Sequence, residues 1–304
     1  MKVLICDPVD DKSIAAMKEI PDIDVDVKTG MSPEELKACI GNYDIMVVRS
    51  ATKAKADVLE HAKNMKLILR GGVGLDNIDQ VKASEMGIKV DNTPAASSIS
   101  VAELAFAQML ALARHISFAD SSMKDKKWEK KKFKGTELYQ KTLGIIGIGR
   151  IGQELAKRAM AFGMKVIAYD LLIDKITLPG GIEKATFDEL LSKSDYISLH
   201  VPFDKEKRAL LSASEFAKMK DGVLIVNCSR GGVVDEKALA DALKSGKVRA
   251  ASVDVFSKEP PDGDNPLYGL DNVILSPHIG ASTKEGQARV GGELVSKIKE
   301  FAGK

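Results

Sequence analysis

Residues 143–152 read Leu143-Gly144-Ile145-Ile146-Gly147-Ile148-Gly149-Arg150-Ile151-Gly152. A short apolar run passes into three glycines spaced Gly-x-Gly-x-x-Gly, and a helical pattern over Ile151–Phe162 follows. Each glycine answers a physical demand. Gly147 permits a tight turn, Gly149 lets the backbone approach a pyrophosphate, and Gly152 allows close helix–strand contact; the helix N-terminus offers free N–H groups to the anion. Asp170 ends the next apolar run, Val166–Tyr169, close to the roughly 20-residue spacing at which a carboxylate meets adenosine ribose hydroxyls. A 2′-phosphate would meet that charge and no neighbouring arginine, because Leu171 and Leu172 follow. The pattern favours NAD over NADP.

Working outward, apolar runs alternate with helical stretches in both directions. Upstream, Val3–Cys6, Val25–Val27, Ile45–Val48, Leu67–Leu69 and Lys89–Val90 read as strands. Helical patterns near Ser13–Ile20, Pro33–Ile40, Ala56–His61 and Val81–Met86 separate them, and Ser32 with Glu35 is a capping-box start. One long helix, Ser98 to Ser117, leads into the second block. Its strands are Leu143–Ile146, Val166–Tyr169, Tyr196–Leu199, Val223–Val226, Ala250–Val253 and Val273–Leu275. A helix from Lys284 to Phe301 closes the chain and is expected to pack back on the first block. Alternation of this kind means parallel sheets covered by helices. The expected organisation is α/β, with two doubly wound parallel-sheet domains at 1–97 plus 283–304 and at 98–282.

Composition narrows the function classes. Lys and Arg number 45 against 43 Asp and Glu, a balance of +2 that draws the chain toward neither nucleic acid nor membrane. Cys6, Cys39 and Cys228 have neither disulfide-framework nor zinc spacing, which fits a reduced, cytoplasmic setting. The longest apolar segment, Val101–Ala113, contains Glu103 and Gln108 and is shorter than a membrane span. Seven lysines between Lys124 and Lys134, with Trp128 and Phe133 among them, read as a solvated face.

Ligands of open α/β sheets bind at the carboxyl ends of strands. In the second block those ends carry Arg230 after Val223–Val226, Glu259 after Ala250–Val253 and His278 after Val273–Leu275. Hydride chemistry at a 2-hydroxy acid calls for these types. A guanidinium forks onto the carboxylate, an imidazole takes the hydroxyl proton, and a carboxylate behind it fixes its tautomer. His200 also follows a strand and is the rival base, read as a pocket wall; His61 and His115 lie on helical stretches. No His, Cys and carboxylate set has metal-ligand spacing.

The chain resembles the D-isomer-specific 2-hydroxyacid dehydrogenases, most closely their 3-phosphoglycerate dehydrogenase branch. The resemblance runs through Val48-Arg49-Ser50-Ala51-Thr52-Lys53, Gly71-Gly72-Val73-Gly74-Leu75-Asp76, Ser100-Val101-Ala102-Glu103, the glycine stretch, Cys228-Ser229-Arg230-Gly231-Gly232 and Pro277-His278-Ile279-Gly280-Ala281. It implies a flavodoxin-like substrate domain and a Rossmann NAD-binding domain. It places catalysis on Arg230, Glu259 and His278. Cofactor contacts fall on Val73, the Arg150 and Ile151 amides, Asp170, Val201, Cys228, Ser229, Arg230, Asp254, His278, Gly280 and Ala281, beside Gly147, Gly149 and Gly152. Substrate contacts fall on Arg49, Ser50, Gly72 and Val73.

The activity so implied is oxidation of 3-phospho-D-glycerate to 3-phosphohydroxypyruvate, the entry to serine synthesis. A glyoxylate or hydroxypyruvate reductase on the same fold is the alternative, and a non-catalytic NAD-sensing interaction protein is one of another class. The trio Arg230, Glu259 and His278 favours chemistry. The family pattern Asn-Gly-Asn after Asn-Thr-Pro is replaced here by Ala95-Ala96-Ser97. The chain ends at Lys304, where long relatives append regulatory domains, so inhibition by serine through such a domain is not expected. Resemblance and the apolar Val101–Ile116 helix suggest a homodimer, with Lys131 or Lys132 reaching a partner's substrate.

Overall fold

A computed structural model describes residues 1–204 and 206–304. The chain divides into two compact units, one of Met1–Ser97 with Ala281–Lys304 and one of Ser98–Gly280.

The first unit carries strands β1 (Lys2–Ile5), β2 (Asp24–Val27), β3 (Ile45–Val48), β4 (Leu67–Arg70) and β5 (Lys89–Asn92), with helices α1 (Asp11–Lys18), α2 (Pro33–Cys39), α3 (Ala56–Leu59) and α4 (Gln80–Glu85) between them. All neighbours are parallel, in the order β2-β1-β3-β4-β5. That is the flavodoxin-like order. Alternation along each strand sorts the side chains into two cores. Leu4, Met46, Val48 and Ile68 face α2 to α4, whereas Val3, Ile5, Ile45, Val47 and Leu69 form the other core with Met17 of α1. The closing helix of the chain completes that second core through Val290, Leu294 and Ile298, four residues apart on one stripe. Burying each such side chain contributes about 1.5–3 kcal/mol, so the helix is an integral layer of this unit.

The second unit opens with α5 (Ser98–Arg114) and α6 (Ile116–Lys124). Then come β6 (Thr142–Ile146), α7 (Arg150–Ala161), β7 (Lys165–Tyr169), β8 (Ile182–Lys184), α8 (Phe187–Lys193), β9 (Tyr196–Leu199), α9 (Ala213–Lys218), β10 (Val223–Asn227), α10 (Glu236–Lys244), β11 (Val248–Val253) and β12 (Val273–Leu275). The remaining helix, α11 (Lys284–Ala302), is the one that belongs to the first unit. The sheet is parallel throughout, in the order β12-β11-β10-β9-β6-β7-β8. Counted from β6 this is the Rossmann order, and the strand sequence reverses between β6 and β9. Ile145, Val166, Leu224 and Val226 pack on α5 and α7; Ile146, Ile197, Ile225 and Val253 pack on α8 to α10.

Two elements depart from the sequence reading. The helix expected to run from Ser98 to Ser117 breaks at His115, whose φ of 55° is left-handed, and α6 leaves at 64° to α5. The Thr136 N–H donates to the Ala113 carbonyl at 2.9 Å and so occupies an acceptor at the end of α5. The short strand β8 was not expected. Ile182-Glu183-Lys184 has no alternating apolar pattern, and the segment is a strand because it pairs with the edge of β7. The apolar stripe of α5 is consumed inside its own unit, with Ala102, Ala105, Met109 and Leu112 almost wholly buried. Among the described residues no single helix is long and apolar enough to cross a membrane.

Candidate active site

The glycine turn lies between β6 and α7, where the Rossmann order reverses. Gly147 has φ 92°, and a Cβ there would meet the His200 carbonyl oxygen at 2.5 Å and Val201 Cγ1 at 2.8 Å. A Cβ on Gly152 would lie 2.3 Å from the Gly147 carbonyl oxygen. The protein itself therefore demands these two glycines. Gly149 is different, because a Cβ there would meet no protein atom within 4 Å. Gly149 is also the N-cap of α7, and no side chain caps that helix. The Arg150 and Ile151 amides thus stand at an uncapped helix start behind open space, which fits a pyrophosphate. Asp170 Oδ2 accepts from the Ile148 N–H at 3.0 Å and Oδ1 from the Leu172 N–H at 2.9 Å. One lone pair on each oxygen is left for ribose hydroxyls.

Further along the same sheet edge, Arg230, Glu259 and His278 follow β10, β11 and β12. Asn227 ties the first of these turns together, accepting from the Ser229 N–H and hydroxyl at 3.1 and 2.7 Å and donating to the Arg230 carbonyl at 3.3 Å. Gly231 lets this loop touch the next one, since a Cβ there would lie 1.8 Å from the Phe256 carbonyl oxygen. The next loop carries Glu259, whose Oε1 accepts from the Phe256 N–H at 3.1 Å and whose Oε2 stands 2.8 Å from His278 Nδ1. Burial would raise the Glu259 carboxyl, but the hydrogen bonds from His278 and Phe256, with nearby Arg230, outweigh it and hold the group below the ordinary glutamate range. An ionised carboxylate accepts only, so Nδ1 carries the proton and Nε2 is left for proton transfer. A pocket of about 400 Å³ adjoins the pair, walled by Phe256, Pro260, Pro261, Tyr268 and Leu275. His278 itself sits in a left-handed turn, φ 53°, whose following amides, Ile279 and Gly280, both donate to buried Asp254 at 2.9 Å.

His200 is placed otherwise. Its Nε2 lies 2.9 Å from Ser198 Oγ, and among the described residues no carboxylate bonds its ring. Burial pushes its imidazole down to about 4, so it is neutral near pH 7.

In the first unit, Arg49 and Ser50 follow β3, and Gly72 and Val73 follow the neighbouring β4. A pair of side chains that the sequence reading passed over holds the first loop. Asp7, buried at the end of β1, accepts from the Arg49 N–H at 2.5 Å and from the Thr52 hydroxyl at 2.7 Å. Asn77 donates to the Arg49 and Thr52 carbonyls at 2.8 and 2.7 Å. The one signal for Asp7 in the sequence is its place, an acid directly after the apolar run Val3–Cys6. The Asn92 side chain donates to the Val73 carbonyl. Ala281 opens the C-terminal segment of this unit.

Residues 106–280 match the family model described as D-isomer specific 2-hydroxyacid dehydrogenase, NAD binding domain. The chain belongs to this family. It is 52% identical to a hydroxypyruvate reductase of Thermotoga maritima over 98% of this chain and 97% of that protein. It is 50% identical to a D-3-phosphoglycerate dehydrogenase of Archaeoglobus fulgidus over 99% of this chain, but spans only 57% of that protein's length. The fold matches D-lactate dehydrogenase from Aquifex aeolicus, solved with NAD and lactic acid, at a TM-score of 0.84 and 32% identity, covering 99% of this chain and 95% of that one. The protein is an NAD-dependent D-2-hydroxyacid dehydrogenase, and the residues at its glycine turn fit the dinucleotide.

The two kinds of glycine separate experimentally. Gly149→Ala should keep the wild-type melting temperature and weaken NADH binding measured by fluorescence titration. Gly152→Ala should lower stability by about 1–3 kcal/mol through overpacking. Equal stability losses in both would mean that the space at Gly149 is not kept for a ligand.

Proposed function

We propose that the protein oxidises 3-phospho-D-glycerate to 3-phosphohydroxypyruvate and catalyses the reverse reduction. The observation that carries the chemistry is the 2.8 Å contact of Glu259 with His278 Nδ1. In this reading Arg230 forks onto the substrate carboxylate. His278 Nε2 removes the proton of the 2-hydroxyl, and the Glu259 carboxylate stabilises the imidazolium that forms. NAD, when bound, accepts the hydride from the same carbon. In the reverse direction the imidazolium returns its proton to the alkoxide oxygen. The Gly147–Gly152 turn and the first amides of α7 would hold the pyrophosphate, Asp170 the ribose and Asp254 the nicotinamide amide, with Val201, Cys228, Ser229, Gly280 and Ala281 as further cofactor contacts. The first unit acts as the substrate-binding domain, through Arg49, Ser50, Gly72 and Val73.

His278→Ala should lower kcat by about 10²–10⁴-fold, the size of a lost acid–base group, with NADH binding retained. If His200→Ala were the damaging variant and His278→Ala mild, the assignment would be wrong.

The substrate's two anionic ends call for two cations. Arg230 serves the carboxylate, and Arg49, on a loop held by Asp7 and Asn77, is the one proposed for the phosphate. Reduction of unphosphorylated hydroxypyruvate is the second reading, favoured by the Thermotoga maritima relative that matches over nearly its full length. Turnover of both keto acids with NADH separates the two. Arg49→Ala should raise KM for phosphohydroxypyruvate by roughly 10- to 150-fold, the equivalent of about 1.5–3 kcal/mol for a charge-assisted hydrogen bond, and leave KM for hydroxypyruvate unchanged. If wild type turns over both alike and Arg49→Ala harms both alike, the phosphate assignment falls.

The same reading includes a homodimer in a cytoplasmic setting. The stripe of α5 is spent inside the unit, so its support moves to α6 and the lysine run. There Trp128 is 80% exposed, and Met123 and Phe133 line a pocket of about 350 Å³. Sedimentation at low micromolar concentration should give twice the chain mass; a 33 kDa species alone would remove the dimer.

A further inference from the structure

Four side chains from four different elements form one chain of hydrogen bonds beneath the His–Glu–Arg edge. The Cys228 thiol, just past β10, donates to Gln108 Oε1 of α5 at 3.1 Å. Gln108 Nε2 donates to Ser276 Oγ, just past β12, at 3.2 Å. The Ser276 hydroxyl donates to Asp254 Oδ1, just past β11, at 2.5 Å. Cys228, Gln108 and Asp254 are each less than a tenth exposed. Every donor points the same way, toward the carboxylate. Burial, and then the Asp254 charge, push the Cys228 thiol up, which keeps it a neutral donor at the head of the chain.

The two ends of this chain are where the chemistry is placed. Cys228 lies in the Asn227–Arg230 turn, and Asp254 accepts both amides that follow His278. A glutamine in the middle of a helix whose neighbours Ala105, Met109 and Leu112 are apolar and buried is costly unless both ends of its amide are bonded. Here both are. Removing the Ser276 hydroxyl would leave Gln108 Nε2 without its acceptor and take one of three donors from Asp254, in an enclosed site where such losses are felt by the whole network.

We infer that Ser276 and Gln108 are positioning residues for the dehydrogenase reaction: through Asp254 and Cys228 they hold the turn carrying His278 in register with the turn carrying Arg230. The inference rests on the proposed roles of His278 and Arg230. Its effect belongs in kcat, because displacing an acid–base group by about an ångström leaves binding intact while costing about 10²-fold in rate.

The test compares Ser276→Ala, Ser276→Thr and Gln108→Leu, each alone and in a His278→Ala background, by steady-state kinetics with NADH and phosphohydroxypyruvate or hydroxypyruvate, alongside melting temperatures. Ser276→Ala should lower kcat about 10- to 100-fold with both KM values nearly unchanged. Ser276→Thr, which keeps the hydroxyl, should restore most of that rate. In the His278→Ala background Ser276→Ala should add no further loss. The inference is overturned if Ser276→Ala turns over normally, if its only effect is on melting temperature, or if its loss persists in full on top of His278→Ala. Should Gln108→Leu fail to fold, the serine pair decides alone. An active His278→Ala would instead sink the catalytic reading of His278, whereas an inactive His278→Ala beside a normal Ser276→Ala sinks only the positioning role.

Discussion

A parallel strand buried on both faces by helices leaves a ligand only its ends, and ligands of such sheets bind outside the carboxyl-terminal ones. The proposed site of this protein follows from that restriction. The glycine turn follows β6, Asp170 follows β7, Val201 follows β9, Arg230 follows β10, Asp254 and Glu259 follow β11, and His278 follows β12. Residues more than a hundred positions apart in the chain therefore meet on one edge of a seven-stranded sheet. The first unit obeys the same rule, with Asp7, Arg49 and Gly72 past β1, β3 and β4.

Loops at such edges need fixing, and here carboxylates fix them. Asp7 takes the Arg49 amide, Asp170 the Ile148 and Leu172 amides, Asp254 the Ile279 and Gly280 amides, and Glu259 the Phe256 amide. A carboxylate has four lone-pair sites, so it can organise a loop and keep acceptor capacity for a second partner. Glu259 shows the double use in the structure itself, holding its own loop with one oxygen and His278 with the other.

Much of this was legible in the chain. The continuous apolar runs Val3–Cys6 and Ile45–Val48, the glycine spacing, Asp170, and the polar residues just past each apolar run mark the fold class and a short catalytic candidate set, because apolar runs and turn chemistry are local properties. What escaped was carried by partners distant in sequence. Strand β8 exists through its pairing with β7, and the helix broke at His115 where Thr136 reached the Ala113 carbonyl. Asp7 and Asn77 look like ordinary loop polars until the loop between Arg49 and Thr52 is seen closed around them.

The sequence by itself determined the α/β class, the dinucleotide turn and the residue types of the proposed catalytic edge, since each is written in short-range spacing and in the conformational limits of glycine. Only the tertiary structure decided that β8 pairs with β7, that Asp7 and Asn77 close the loop between Arg49 and Thr52, and that Gln108 joins Cys228 to Ser276. Those outcomes depend on which strand ends become neighbours. Strand order is set by burying both sheet faces at once, a property of the whole chain that no single segment carries.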